Sequence, residues 1–174
     1  MNDLGKIKIK TDGVEVLFER IYPHNIKKVW DALTNPAKMA YWFTDVEWDF
    51  KPGGEITFIF QDEDKTKSYG KIVTIEPEKL FEFIWKSEEA NIPDELARWE
   101  LFDEAPEQTR LLFTYSRVSK DIAASVSTGW HMVLEDFEAY LNGKREFDAF
   151  GASSEPSEQG KVIKEQYQNS IEQN

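Results

Sequence analysis

Cysteine is absent from the 174-residue sequence, and histidine occurs only twice, as His24 and His131. Without cysteine the chain cannot form a disulfide, a thiolate metal site, a redox pair or a cysteine nucleophile. A metal site would need several ligands in a cluster, and the sequence shows no such cluster around either histidine. We therefore predict neither a metal nor a cofactor, and we expect both histidines at the polar surface or at the edge of a pocket.

Long apolar runs are also missing. No stretch reaches the length of a membrane-spanning helix, and the first residues lack the basic start and apolar run of a signal peptide. Basic residues are scarce, because 21 Lys and Arg stand against 33 Asp and Glu, for a net charge of −12. A surface of this sign repels phosphate backbones and anionic lipids. The sequence thus predicts a soluble, cytoplasmic protein that binds no nucleic acid and does not insert into a membrane.

What the sequence has in abundance is aromatic residues, with 6 Trp and 12 Phe. Many of them alternate with polar residues, a period of two that is typical of half-buried strands. The alternation predicts seven strands, at about residues 14–22, 44–50, 56–60, 67–76, 80–86, 96–103 and 109–118. Residues 6–10 can extend the first strand across the turn Thr11-Asp12-Gly13. The connections are short, so neighbouring strands should be antiparallel.

Helical periodicity occurs in two regions. After Pro23, Asn25 can cap a short helix over residues 26–33, and Asn35-Pro36 opens a second one. Near residue 119 the period changes again and predicts a helix of about 20 residues, 121–141, ended by Asn142-Gly143. Its apolar stripe must be covered, and the concave face of the sheet is the available cover. The stripe consists of Ile122, Val126, Trp130, Val133, Phe137 and Leu141.

These elements define an α+β fold: a curved antiparallel seven-stranded sheet around a long C-terminal helix, with two short helices after the first strand. We assign residues 1–143 to one domain and residues 144–174 to a polar tail that is mobile or weakly helical. Residues 151–157 are linker-like. Because the tail has few apolar residues, its removal is predicted to lower the melting temperature only slightly.

Several local motifs occur in the order found in one known group of proteins. They are Glu19-Arg20-Ile21-Tyr22-Pro23, Val29-Trp30-Asp31-Ala32-Leu33-Thr34-Asn35-Pro36, Trp42, Asp49-Phe50-Lys51-Pro52-Gly53-Gly54-Glu55-Ile56, Gly70-Lys71-Ile72-Val73-Thr74-Ile75-Glu76-Pro77, Thr109-Arg110-Leu111-Leu112-Phe113-Thr114 and Gly129-Trp130. From about residue 14 to residue 141 the chain resembles the START-like (SRPBCC) superfamily. It is most similar to the branch of the activator of heat-shock protein 90 ATPase homologue C-terminal domain. This resemblance implies a helix-grip fold, whose members often hold lipids or other apolar molecules between the long helix and the sheet.

Alternation places a set of aromatic side chains on the inward face of the predicted sheet. Either these rings fill the space between helix and sheet, or they line a cavity. We predict a cavity, with Val126 on the helix side and with Thr57, Ser68, Tyr69 and Tyr115 as candidate polar anchors, although the same groups also suit an ordinary β-sheet. The predicted lining residues are Trp48, Phe58, Tyr69, Phe83, Trp85, Trp99, Phe113, Tyr115, Val126 and Trp130.

Three functions are compatible with this pattern. The preferred one is non-catalytic binding of a small apolar, aromatic or lipid-like molecule in the cavity. The second is a cyclase-like or hydrolase-like enzyme in the same cavity, which would need an inward carboxylate or histidine with a shifted pKa. The sequence indicates no such residue and no catalytic motif. The third is a chaperone-associated or stress-related interaction module that uses the acidic surface.

Overall fold

The computed structural model describes residues 3–87, 92–144 and 157–174. Eight antiparallel strands form one sheet in the order β1-β2-β8-β7-β6-β5-β4-β3. Their bounds are β1 Lys6–Lys10, β2 Gly13–Tyr22, β3 Asp45–Trp48, β4 Glu55–Ile59, β5 Lys67–Glu76, β6 Leu80–Trp85, β7 Glu95–Ala105 and β8 Gln108–Val118. Every pair of neighbouring strands in this sheet, except the pair of β2 and β8, is consecutive in the sequence, as the short predicted turns require.

The prediction of seven strands was wrong by one. Residues 6–10 do not extend the first strand but form β1, which folds back on β2 with Lys6 opposite Leu17 and Lys10 opposite Gly13. Gly13 has a positive φ of 132°, which a residue with a side chain rarely adopts. The turn at Thr11-Asp12 therefore reverses the chain, and the new strand occupies the edge of the sheet.

Two short helices follow β2, as predicted. Helix α1 spans Ile26–Thr34, and the Asn25 side chain caps it by accepting a hydrogen bond from the backbone N–H of Lys28. Helix α2 spans Pro36–Met39 and begins with proline in its first turn. The Nε1 of Trp42 donates to the carbonyl of Ala32 at 3.0 Å, which ties the end of this region to α1.

Helix α3, Ala123–Leu141, packs on the inner face of the curved sheet. The ring of Trp130 lies 4.7 Å from that of Phe113 in β8, and the ring of Phe137 lies 5.5 Å from that of Tyr22 in β2. Trp130, Val133, Phe137 and Leu141 of the predicted stripe are buried, whereas Ile122 is exposed at the start of the helix. The core therefore lies between α3 and the sheet.

A further helix, α4, spans Glu158–Glu172 in the segment that we predicted to be a mobile or weakly helical tail. It packs against α3 and β1, and Ile163, Tyr167 and Ile171 are buried. Their spacing of four residues puts them on one helix face. Most of the predicted linker 151–157 lies outside the described residues. None of the helices in the described ranges is long and apolar enough to cross a membrane.

Candidate functional site

A partly open pocket of about 310 Å³ lies between the first half of α3 and one end of the sheet. Strands β6, β7 and β8 supply one wall, α3 supplies another, and residues that follow α2 and β4 close the side. The lining residues are Phe43, Phe60, Trp85, Glu95, Tyr115, Ser125, Val126, Gly129 and Trp130. Most of the wall is therefore aromatic, and among the described lining residues Glu95 alone has a carboxyl group.

Ring contacts fix the aromatic wall in place. Trp85 stacks on Phe58 with centroids 4.2 Å apart and an interplanar angle of 3°. Trp130 packs against Tyr115 at 5.0 Å and against Phe43 at 5.4 Å. Offset and tilted ring pairs of this kind add to the stabilisation from burial. The wall is thus held by the core behind it.

Gly129, beside Trp130, lies where α3 faces the pocket. Glycine in the middle of a helix costs about 1 kcal/mol relative to alanine. Its lack of a side chain leaves room above the helix at this point. The structure places this glycine on the pocket wall.

The polar end of the pocket is a pair formed by Glu95 and Tyr115. The hydroxyl of Tyr115 donates a hydrogen bond to Oε2 of Glu95. Burial raises the pKa of Glu95, and the hydrogen bond from Tyr115 acts against this shift. Burial and the nearby Glu95 together raise the pKa of Tyr115 well above its ordinary value. Glu95 therefore holds its proton to a higher pH than an exposed glutamate does.

The predicted lining residues divide into three groups. Trp85, Tyr115, Val126 and Trp130 do line the pocket. Phe58, Phe83, Trp99 and Phe113 are buried behind it and fill the core, where Trp99 and Phe113 stack with centroids 3.9 Å apart. The remaining two, Trp48 and Tyr69, lie elsewhere.

Trp48 packs at the far edge of the sheet against Phe50 and Phe81. Tyr69 is 49 % exposed, because Gly70 and Ile72 of β5 face the core and alternation turns Tyr69 outward. The assignment of Tyr69 as a polar anchor in the cavity is therefore corrected. The hydroxyl that reaches the pocket belongs to Tyr115, another of the candidate anchors, whereas Thr57 and Ser68 do not line the pocket.

Sequence reasoning missed Phe43, Phe60, Glu95, Ser125 and the pocket-facing position of Gly129. A signal for Glu95 was present in the alternation of β7, since Ala97, Trp99 and Leu101 all face inward and Glu95 continues that face. In the sheet, Glu95 pairs with Trp85. A signal for Phe60 was present too, because it continues the inward face of Ile56 and Phe58 in the strand predicted at 56–60. Phe43 lies between α2 and β3, so no periodicity could have placed it.

A second buried polar group lies away from the pocket, under α4. His131 is 0 % exposed, and its Nδ1 lies 3.2 Å from the hydroxyl of Tyr167. The same hydroxyl accepts a hydrogen bond from the N–H of Gly5 at 2.8 Å. Burial lowers the pKa of His131 and raises that of Tyr167 to about 12. The expected surface or pocket-edge position of His131 was wrong, because α4 covers this side of α3.

No group of three or more His, Asp or Glu side chains lies close enough to hold a metal ion within the described ranges. The pocket offers aromatic faces, three small or aliphatic positions on α3 (Ser125, Val126 and Gly129) and one hydrogen-bonded carboxyl. This arrangement can enclose a small flat molecule and contact one polar group on it.

The family model described as Activator of Hsp90 ATPase homolog 1-like protein matches residues 23–142. The chain belongs to this family. The resemblance to the START-like superfamily is thereby confirmed, and the match runs from the end of β2 to the end of α3, including all the lining residues of the pocket. None of the curated proteins matches the chain significantly.

Solved structures share the family fold at low sequence identity. CalU16 from Micromonospora echinospora is 20 % identical, with a TM-score of 0.73 over 97 % of this chain and 93 % of that one. A conserved protein of unknown function from Enterococcus faecalis is 16 % identical, with a TM-score of 0.75 over 97 % and 91 %. DynU16, from the dynemicin biosynthetic locus, is 23 % identical, with a TM-score of 0.68 over 85 % of this chain and 59 % of that one. These likenesses support the helix-grip fold.

Proposed function

We propose that the protein binds a small apolar or aromatic molecule, without chemical conversion, in the pocket between α3 and the sheet. The observation that carries this proposal is the open pocket itself, walled by Phe43, Phe60, Trp85 and Trp130. Open space bordered by large apolar rings is the arrangement typical of small-molecule sites.

The size and chemistry of the pocket set the kind of ligand. Its volume of about 310 Å³ is at the lower end of the range for ligand sites, about 300–1,000 Å³. A molecule of one to three rings suits it better than a long lipid. Burial of apolar ligand surface would contribute about 25 cal/mol per Å², and the Glu95–Tyr115 pair would orient one polar group.

The comparisons support a binding role without naming a ligand. Members of the wider superfamily often hold apolar molecules at the corresponding place, and one structural neighbour comes from a biosynthetic locus.

A pocket-filling substitution tests the proposal. The neutral fluorescent probe N-phenyl-1-naphthylamine should bind the wild type with increased emission and raise its melting temperature. Val126→Trp places an indole in the pocket and should abolish binding, whereas Val162→Trp, at an exposed position of α4, should leave it unchanged. Equal binding by all three proteins would place the probe elsewhere and refute the proposal. Native mass spectrometry of the purified protein, before and after denaturation, would detect a co-purifying ligand.

An enzymatic role in the same pocket is the second candidate, and Glu95 is the observation that favours it. A carboxyl whose pKa is raised by burial, beside a tyrosine hydroxyl, meets the requirement for a general acid. Incubation of an identified ligand with wild type and with Glu95→Gln separates the two roles. A change of ligand mass that only the wild type produces would indicate catalysis. If neither probe nor co-purifying ligand binds, a chaperone-associated interaction role becomes the leading alternative.

A further inference from the structure

The charge lining the pocket has one sign. Among the described residues, none of those that line the pocket is Lys, Arg or His, and Glu95 is the one that can carry a charge. The rest of the wall consists mainly of aromatic rings, including Trp85, Tyr115 and Trp130. The faces of aromatic rings carry negative electrostatic potential, with tryptophan the strongest. The ring faces and the carboxylate of Glu95 therefore both attract positively charged ligands.

We propose that the pocket selects organic cations, that is, small molecules in which an alkyl or aromatic body carries an ammonium group. This inference rests on the proposed binding function and deepens it by naming the ligand class. The ammonium group would lie between the rings of Trp85 and Trp130 and the carboxylate of Glu95, with the apolar body against Val126.

The geometry of Glu95 suits this role. It lies opposite Trp85 in the register of β6 and β7, so its side chain emerges beside the indole. Tyr115 donates to Oε2, which holds the carboxyl in place and leaves Oε1 available to a ligand. Trp85 and Trp130 meet edge to face, with centroids 6.3 Å apart and planes at 85°. The two indole rings thus form two walls at a right angle, with the carboxylate of Glu95 at their edge. This arrangement is an incomplete aromatic cage, and aromatic cages are the recurring site for quaternary ammonium groups.

Energetics also favour a cation. Within the described part of the chain, Glu95 has no positively charged partner. A half-buried carboxylate of this kind is disfavoured in its charged form, which is why burial raises the pKa of Glu95. A bound cation would supply the missing partner and restore the charged form. The net charge of −12 adds a field that attracts cations at longer range.

A pair of ligands with the same shape provides the test. Benzyltrimethylammonium carries a permanent positive charge, and neopentylbenzene has carbon in place of the nitrogen. At pH 8 and low salt, the wild type should bind benzyltrimethylammonium at least about 10-fold more tightly than neopentylbenzene. This difference is expected because the carboxylate and the ring faces both contact the positive charge. Glu95→Gln keeps the shape and an acceptor for Tyr115, and it should remove most of the preference. Glu63→Gln, at an exposed loop position, removes one charge elsewhere and should retain it.

A pH series on the wild type makes the test independent of any variant. Because the charge of benzyltrimethylammonium does not change, its affinity should fall as Glu95 gains its proton on acidification. The raised pKa of Glu95 places this loss above the range of an exposed glutamate, and neopentylbenzene should show no such loss. Equal affinity for both ligands, unaffected by Glu95→Gln and by pH, would overturn the cation preference but leave the binding function standing. Failure of both ligands and of N-phenyl-1-naphthylamine to bind would overturn both.

Discussion

Replacing Tyr167 by phenylalanine removes one oxygen atom from the interface between α4 and the rest of the fold. The ring of Tyr167 is completely buried, and its hydroxyl joins two distant parts of the chain. It accepts a hydrogen bond from the N–H of Gly5, just before β1, and lies beside Nδ1 of His131 on α3. The substitution therefore tests whether α4 belongs to the core.

The size of the effect follows from the group left without a partner. After Tyr167→Phe the buried N–H of Gly5 would lose its acceptor, and a buried donor without a partner costs about 1–3 kcal/mol. We expect the free energy of unfolding to fall by this amount. For a chain of this length each kcal/mol lowers the melting temperature by about 2–4 °C, so the expected decrease is about 2–12 °C.

Equilibrium urea denaturation of wild type and variant measures the difference directly. Tyr41→Phe is the matched control, because Tyr41 is mostly exposed and its variant should stay within about 0.5 kcal/mol of the wild type. A Tyr167→Phe protein as stable as the control would show that α4 is not held in the described position. That result would favour the mobile or weakly helical tail that the sequence predicts.

Three further predictions concern α3 and a turn. Trp130→Ala should lower the free energy of unfolding by about 3 kcal/mol, because one face of the indole already borders the pocket. This value is the lower end of the usual range for buried aromatic residues. A decrease of less than about 1 kcal/mol in calorimetry would contradict the described packing. Burial lowers the pKa of His131 in the folded protein. The unfolded chain therefore binds this proton more readily than the folded protein does. The free energy of unfolding should accordingly fall as the pH is lowered from 7.5 to 5.5, through the ordinary pKa of histidine. His131→Asn should flatten that dependence in urea titrations, and an unchanged slope would assign it to other groups. Gly54→Ala should destabilise the fold more than Gly53→Ala, because a Cβ at Gly54 would lie 1.7 Å from the carbonyl oxygen of Asp49. A Cβ at Gly53 meets no described atom within 4 Å, so the cost there is limited to the strain of a side chain at a φ of 82°. The reverse order of melting temperatures would be inconsistent with this turn.

Most of the fold was predictable because periodicity reports directly on burial. The strands that carry Phe81, Trp99 and Phe113 alternate cleanly, and the stripe on α3 follows a period of 3.6. Helix α4 was harder, since its buried face has only Ile163, Tyr167 and Ile171 among polar residues. Whether such a weak face docks depends on the partner surface on α3, and periodicity within α4 contains no information about that surface.

The site was only partly predictable for a related reason. Alternation identifies which side chains face inward, but whether an inward ring fills the core or borders a void depends on packing across the sheet. Phe113 and Tyr115 share one face of β8, yet only Tyr115 reaches the pocket. Tyr69 faces solvent because Gly70 and Ile72 of the same strand face the core. Glu95 lies one residue before the strand predicted at 96–103, although β7 begins with it.

The indole N–H signals of the six tryptophans offer the most direct test of ligand binding in this pocket. In a two-dimensional ¹⁵N–¹H spectrum, assigned by single Trp→Phe substitutions, N-phenyl-1-naphthylamine or a co-purifying ligand should shift the signals of Trp85 and Trp130. The signals of Trp30 and Trp48, which do not line the pocket, should stay in place. Shifts confined to Trp30 or Trp48, or no shift at near-saturating ligand, would contradict the account.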